Sequence, residues 1–270
     1  MKKAATQAEQ AVLGPTWLMR RVWQRYEHPA EVNAYSDQVA EGLRPEEEAA
    51  LARWCSHPCR VLDLGCGAGR EALVLTRRGY QLVGVDISLG MITQARRQAD
   101  AAGLEIAFIW MQDPLRLPVP SSAFDCVLGL AQLLAQVPGR LARVALLREI
   151  ERVMAPGGMY LGTIADRRAA ADLCGDNEEG LTELERVAGL EEGDIWVWQP
   201  SAAQLDDALI FHLHTPGEIS WELRQAGLRL ADCRMGDELA PQGSADAYRY
   251  RFIVAKRRQP ASSGNPLNRS

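Results

Sequence analysis

Residues 61–70 read Val-Leu-Asp-Leu-Gly-Cys-Gly-Ala-Gly-Arg, and this stretch decides the fold. An apolar run that contains one acid, Asp63, leads into glycines at every second position, Gly65, Gly67 and Gly69. Such a run is typical of a buried strand that enters a turn tight enough to require glycine. The residues after the turn have the spacing of a helix. Strand, glycine turn and helix in this order predict the nucleotide-binding turn of a doubly wound α/β fold.

A second strand with a carboxylate at its end supports this prediction. Residues 80–86 read Tyr-Gln-Leu-Val-Gly-Val-Asp, so Asp86 closes an apolar run. In a right-handed βαβ unit this end lies beside the first glycine turn, where a carboxylate can accept both ribose hydroxyls of an adenosine. The glycine spacing is narrower than the Gly-x-Gly-x-x-Gly of dinucleotide-dependent dehydrogenases, and no Walker lysine follows.

Four segments resemble, in the same order, the motifs of class I S-adenosylmethionine-dependent methyltransferases. They are 61–69; 83–92 (Val-Gly-Val-Asp-Ile-Ser-Leu-Gly-Met-Ile); 111–128, with Asp113 before Leu117-Pro118 and Phe124-Asp-Cys-Val; and 149–159, with its Pro-Gly-Gly turn. The resemblance implies an α/β fold. It has a Rossmann-like, doubly wound, seven-stranded sheet with an antiparallel last strand, N-terminal helices and an inserted lid after strand five. The implied cofactor is S-adenosyl-L-methionine.

The resemblance also implies roles for individual residues. Asp63 reaches the methionine ammonium, or it only orders the turn. Asp86 takes the ribose hydroxyls, or it only caps the next helix. Ile87 flanks adenine, and Asp113, with Gln112 beside it, bonds the adenine amino group unless it only forms a turn before proline. The full set of implied cofactor residues is Asp63, Gly65, Cys66, Gly67, Gly69, Asp86, Ile87, Met91, Gln112, Asp113, Leu130 and Ala131.

The sequence leaves the catalytic residues unassigned. Methyl transfer from a sulfonium needs positioning and water exclusion more than acid–base machinery. Tyr26 and Tyr35 lie where such families often place a cofactor-covering aromatic, and Tyr35 is the favoured candidate, with a packing tyrosine as the alternative. His212 and His214 alternate in a predicted strand and are candidates for a general base, with half-exposed strand histidines as the alternative. Many relatives carry a histidine after strand four, where residues 132–136 here have no ionisable group, so a positioning mechanism is the default.

The chain is predicted to have three parts: an N-terminal helical cap (1–55), a methyltransferase domain (56–258) whose insert at about 166–215 is the lid and substrate region, and a disordered tail (259–270). Strands are predicted near 60–64, 81–85, 106–110, 124–130, 158–164, 195–198, 208–214, 228–233 and 248–255. Helices are predicted near 5–28, 45–54, 69–78, 88–102, 140–154 and 218–227.

Composition narrows the function classes. The net charge of −5 does not suggest a nucleic-acid surface, and no apolar run reaches the roughly 20 residues that span a bilayer. No secretory signal is evident, so we expect a cytoplasmic protein with reduced cysteines and no membrane partner. Cys55, His57 and Cys59 lack a second pair at zinc-binding spacing, so no metal is expected there or elsewhere.

The predicted function is transfer of the sulfonium methyl by in-line displacement to an oxygen, nitrogen or carbon of a small molecule. One alternative is an RNA or protein methyltransferase, and the basic run 256–258 supports RNA contact only. The Asn/Asp-Pro-Pro-Tyr motif of exocyclic amine methyltransferases is absent after strand four, and its absence argues against methylation of such amines. Another alternative is a non-catalytic cofactor-binding module. The sequence does not indicate the acceptor or the oligomeric state.

Overall fold

The computed structural model describes residues 16–168, 190–197, 209–240, 242–243 and 247–258. The helices are α1 (Thr16–Glu27), α2 (Pro29–Gln38), α3 (Pro45–Trp54), α4 (Arg70–Arg77), α5 (Leu89–Ala101), α6 (Arg140–Val153), α7 (Pro216–Gln225) and α8 (Gly236–Leu239). The strands are β1 (Arg60–Leu64), β2 (Gln81–Asp86), β3 (Ala107–Trp110), β4 (Phe124–Gly129), β5 (Met154–Ala165), β6 (Asp194–Val197), β7 (Leu209–His212), β8 (Leu228–Met235) and β9 (Tyr250–Arg257). Short 3₁₀ turns lie at Val39–Glu41, Leu133–Gln136 and Ala247–Arg249.

Seven strands form one sheet in the order β3-β2-β1-β4-β5-β9-β8. The first five are parallel, and β9 runs antiparallel to both of its neighbours, β5 and β8. The chain moves outward in one direction from β1 to β3 and in the other from β4 to β5. At such a reversal the loops that follow β1 and β4 diverge and leave a crevice at the carboxyl edge of the sheet. This topology therefore locates the site that the glycine turn predicts.

Helices cover both faces of the sheet. On one face, α5 buries Met91, Ile92, Ala95 and Ala99, spaced along one side of the helix. On the other face, α6 buries Leu146, Leu147, Ile150 and Val153. Because both faces are covered, the central strands read as almost continuous apolar runs rather than alternating ones. The acid Asp63 is therefore an exception inside the buried strand β1.

A separate two-stranded antiparallel hairpin joins β6 to β7. It lies after β5 in the chain, and an isolated bridge between Asp166 and His214 attaches its end to the end of β5. The backbone N–H of His214 donates to Ala165 O at 2.8 Å. The hairpin is thus anchored to the sheet edge nearest the crevice.

The predicted sheet is confirmed, including its antiparallel strand β9. One boundary is wrong: the Pro156–Gly158 turn lies within β5 as a bulge rather than before it. The bulge arises because Phe124 pairs with Met154 and Cys126 with Met159. Helix α2 was not predicted, since its ten residues carry only a weak amphipathic pattern.

Some predictions concern residues outside the described part of the chain. These are the helix within 5–15, most of the acidic stretch in the insert (169–189), Trp198 and the tail from 259 onward. The division into cap, domain and lid remains a prediction. Within the described residues, no helix combines the length and the apolar character that crossing a bilayer requires.

Candidate cofactor site

A cavity opens at the carboxyl ends of β1, β2 and β4. It encloses about 790 Å³ outside the protein atoms, including the part open to solvent. Seven of the predicted cofactor residues line it: Gly65, Gly67, Asp86, Ile87, Met91, Leu130 and Ala131. The candidate Tyr35 lines it as well. Residues from distant parts of the sequence therefore converge where the topology predicts a ligand.

The glycine turn forms the floor of the cavity. Gly65 has φ +73°, and a Cβ built there would lie 2.8 Å from Leu133 Cδ1. The N–H groups of Gly65 and Cys66 donate to Val85 O at 2.8 and 3.1 Å, so the turn is tied to β2. A side chain at position 65 would have to adopt a left-handed conformation and displace Leu133 as well.

The Asp86 carboxylate is fixed beside this turn. Its Oδ2 accepts a hydrogen bond from Gly67 N at 2.9 Å, and its Oδ1 accepts from Ser88 N at 2.8 Å. Each carboxylate oxygen has a second acceptor direction, so the group can still bind ligand hydroxyls. Burial raises the pKa of Asp86 to about 6, although the two backbone N–H donors oppose the shift. Asp86 thus supports the start of α5 and also offers acceptors at the cavity.

Asp63 lies behind the turn, at 2% exposure. Within the described part of the chain its Oδ2 makes no hydrogen bond. Burial raises the pKa of Asp63 well above its usual range, Glu71 adds to the shift, and Arg70 opposes it. A buried carboxylate oxygen without a partner is costly unless something else satisfies it, for example a ligand ammonium or a water.

The turn after β4 forms the opposite wall and has an unusual backbone. Ala131 and Gln132 have φ values of +50° and +59°, although neither is glycine. Left-handed conformations cost such residues roughly 1–2 kcal/mol each. A hydrogen bond from Gln132 N to Thr163 Oγ1, 2.7 Å long, helps to hold this shape. Consecutive strained residues are most often found at functional sites, and here they border the cavity.

Two tyrosines from the N-terminal helices form the roof. Tyr26 and Tyr35 contact each other edge to face, with ring centroids 5.8 Å apart. A Cβ built on Gly67 would lie 3.9 Å from Tyr35 Cδ1, so this ring covers the glycine turn. Burial raises the pKa of both hydroxyls, so both stay protonated at neutral pH.

Helix α1 adds a stripe of cavity residues, of which the sequence analysis missed Met19 and Val22. Met19, Val22 and Tyr26 all line the cavity and are spaced three and four residues apart. That spacing is a helical-face signal. It did not reveal the site, because helical faces of this kind usually pack into cores rather than onto ligands.

An outer extension of the cavity contains the remaining adenine-side predictions. Gln112 and Asp113 line it together with Ile87. Trp110 Nε1 donates to Ile87 O at 2.9 Å. Asp113 Oδ1 accepts from Leu115 N at 3.0 Å, so the turn-forming role of Asp113 is present in the structure.

Five predicted residues lie outside the cavity lining: Asp63, already described, and Cys66, Gly69, His212 and His214. Cys66 is buried behind the turn, and Gly69 begins α4 with φ +95°. His212 and His214 lie in a buried cluster with Glu222 rather than at the cavity. The expectation that they are half-exposed strand histidines is wrong: their exposures are 1% and 0%, because α6 and α7 cover the hairpin.

Comparison with known proteins finds methyltransferases among the proteins similar to this chain. The family described as "Methyltransferase domain" matches residues 61–158. A demethylmenaquinone methyltransferase of Thermus thermophilus is 42% identical over 106 residues, which cover 37% of this chain and 44% of the relative. A fatty-acid O-methyltransferase of Mycolicibacterium smegmatis is 37% identical over 140 residues, 51% of this chain and 46% of the relative. The matches therefore span less than half of each of these relatives.

Solved structures agree on the fold. The crystal structure of a protein from Pyrococcus horikoshii OT3 superposes with a TM-score of 0.60 at 19% identity, covering 78% of this chain and 87% of the other. Residues 61–158 thus match a methyltransferase domain family, and the solved structure shares the fold of this chain.

Proposed function

We propose that this protein transfers the methyl group of S-adenosylmethionine to an oxygen, nitrogen or carbon of a small, largely apolar molecule. One observation carries the proposal: the glycine turn, the Asp86 carboxylate and the strained turn at Ala131 border a single cavity. In a doubly wound fold this is the ligand-binding edge of the sheet.

The residues around the cavity fit this cofactor. Asp86 would accept the ribose hydroxyls with its remaining acceptor directions. Asp63, whose Oδ2 has no partner among the described residues, would receive the methionine ammonium directly or through water. Ile87 and the outer extension with Gln112 and Asp113 would hold the adenine.

When bound, S-adenosylmethionine supplies a methyl group activated by a positively charged sulfur. The chain has to align the acceptor with that methyl and keep water away. Tyr26 and Tyr35 cover the cavity, and Leu130 and Ala131 form the wall beside the place expected for the sulfur. No histidine lines the cavity within the described residues, which supports catalysis by positioning.

The chemistry of the remaining wall indicates the acceptor class. The part away from the glycine turn is formed by Met19, Val22, Val137 and Leu146, with Gln136 as a polar exception. Such a surface favours an acceptor that buries apolar area and presents one polar atom. The names of the two relatives, a demethylmenaquinone and a fatty-acid methyltransferase, are consistent with that class.

Calorimetric titration with S-adenosylmethionine and S-adenosylhomocysteine tests the cofactor. We expect micromolar or tighter binding of both. Methyl transfer is then measured with methyl-labelled cofactor against reduced quinones, fatty acids and catechols, with RNA and protein substrates run in parallel. Transfer to an apolar small molecule supports the proposal. Transfer only to RNA or protein would refute the acceptor class, and binding without any transfer would favour the non-catalytic module.

A further inference from the structure

A second set of functional groups lies away from the cavity, where the β6–β7 hairpin packs against α6 and α7. His212 and His214 contact each other edge to face, with ring centroids 4.5 Å apart. Glu222 of α7 is fully buried beside them. One ligand-type atom from each of these three residues lies within 4.8 Å of the other two. The cofactor role proposed above does not use any of them.

Several atoms of this cluster have no hydrogen-bond partner in the part of the chain that the structure describes: His212 Nε2, both ring nitrogens of His214 and Glu222 Oε2. His214 Nε2 and Glu222 Oε2 face each other at 3.4 Å. Buried polar atoms of this kind are costly, and a native structure satisfies them with a protein group, water or an ion. One such atom from each of the three residues can serve as a ligand within 4.8 Å of the other two.

Neighbouring residues hold two of the three side chains in a suitable orientation. His212 Nδ1 lies 2.7 Å from Asp194 Oδ1, which leaves the other ring nitrogen, Nε2, available to a ligand. Arg143 Nε donates to Glu222 Oε1 at 2.8 Å, which leaves Oε2 for another ligand. A carboxylate behind a histidine and a donor behind a carboxylate are the usual supports of metal ligands.

The charge balance of the cluster is negative. The buried guanidinium of Arg143 pairs with Glu191 and Glu222, and Asp194 lies against His212. At the rim, Arg140 and Arg167 are matched by Glu218 and Glu192. The two buried carboxylates, Asp194 and Glu222, thus outnumber the buried guanidinium of Arg143, and a bound cation would offset the excess negative charge.

We propose that His212, His214 and Glu222 bind one divalent transition-metal ion, with zinc as the best-suited ion. Two imidazoles and one carboxylate are typical zinc ligands, whereas magnesium and calcium prefer all-oxygen sets. Tetrahedral coordination at about 2.1 Å places ligand atoms about 3.4 Å apart. The ligand atoms of His212, His214 and Glu222 lie within 4.8 Å of one another, so side-chain rotation has to bring them closer to that spacing.

The site connects the hairpin with the core beside the cofactor cavity. His212 and His214 come from the end of the hairpin, and Glu222 comes from α7. Arg143, which supports Glu222, also donates to the carbonyl of Val137 at 3.3 Å, and Val137 lines the cavity. A metal ion here would fix the hairpin to α7 and stabilise that cavity wall without touching the cofactor.

Zinc binding by the full chain tests the proposal. The purified protein is treated with a chelator, dialysed, and titrated with zinc by calorimetry, and metal content is measured after reconstitution. We expect one zinc per chain and a higher thermal unfolding midpoint with zinc. His214→Ala and Glu222→Gln should each bind zinc at least tenfold more weakly, while the exposed His57→Ala should bind like the wild type.

A cobalt titration of the wild type keeps the test independent of whether the variants fold. Four-coordinate Co²⁺ held by two imidazoles, a carboxylate and a water gives visible d–d absorption without a sulfur charge-transfer band. A charge-transfer band, or loss of metal in Cys59→Ser, would place the metal at the Cys55–Cys59 pair and overturn the proposal. Failure of the wild type to bind zinc at micromolar free concentration would also overturn it.

Discussion

Replacement of Asp86 by alanine should weaken S-adenosylmethionine binding by about 1–3 kcal/mol, or roughly 5- to 150-fold in Kd. In the folded protein both carboxylate oxygens already accept a backbone N–H, from Gly67 and Ser88. Only the remaining acceptor directions are available to the two ribose hydroxyls. The cost is therefore smaller than that of two complete charge-assisted hydrogen bonds, each worth about 1.5–3 kcal/mol. Calorimetric Kd values for S-adenosylmethionine and S-adenosylhomocysteine measure it.

The same substitution strips two buried backbone donors of their acceptor, so folding has to be checked first. We expect a lower unfolding midpoint for Asp86→Ala and a smaller loss for Asp86→Asn, which keeps one carbonyl oxygen. Asp125→Ala is the matched control, because this half-exposed carboxylate pairs with Arg60 at the surface and lies outside the cavity lining. If folded Asp86→Ala binds the cofactor as tightly as the wild type, the ribose assignment is refuted.

Three further predictions follow from the geometry of the site and its supports. Gly65→Ala should abolish measurable cofactor binding and lower the unfolding midpoint. Gly103→Ala should have smaller effects, because Gly103 has a similar φ of +66° but open space around it. Equal effects of the two variants in denaturation and calorimetry would contradict this. Cofactor affinity should be constant above about pH 7 and fall as pH drops through about 6, because only the ionised Asp86 accepts two hydroxyls; a pH-independent Kd would contradict this. Arg143→Met should cost about 3–5 kcal/mol in the free energy of unfolding, because it leaves buried carboxylates without their cation, whereas the exposed Arg148→Met on the same helix should change it by less than about 0.5 kcal/mol; urea denaturation measures both.

The parts of the site that sequence reasoning located are those held by local chain geometry. The turn at Gly65 and the carboxylate of Asp86 follow from strand, turn and helix signals within about thirty residues, and a βαβ unit has one handedness. The hydrogen bond from Gly67 N to Asp86 Oδ2 shows how closely those two signals meet in space. The positions of Gly65 and Asp86 could be predicted because few backbone arrangements fit a strand, a glycine turn and a helix in this order.

The α1 residues Met19 and Val22 and the buried cluster depend on contacts between distant segments, and the sequence did not reveal them. Nothing in the local pattern around Tyr26 indicates that α1 packs over the glycine turn, and α2 has too weak an apolar face to predict its place. The alternation of His212 and His214 along the chain predicts strand histidines with solvent on one side. Their burial depends on Glu222 and Arg143, which come from two other elements.

The part of the cavity formed by local chain geometry fits the cofactor, and the part formed by contacts between distant segments selects the acceptor. The floor, at Gly65 and Asp86, belongs to the motifs that the superfamily shares, so it should bind the common cofactor in any member. The wall at Val137 is bonded through Arg143 to the hairpin cluster, which lies outside the matched residues 61–158. Changes in the hairpin can therefore reshape the acceptor side without disturbing the floor. Loss of the hairpin cluster should therefore change acceptor preference more than it changes cofactor affinity. Measuring kcat/KM for several acceptors and the Kd of the cofactor in Glu222→Gln tests this expectation.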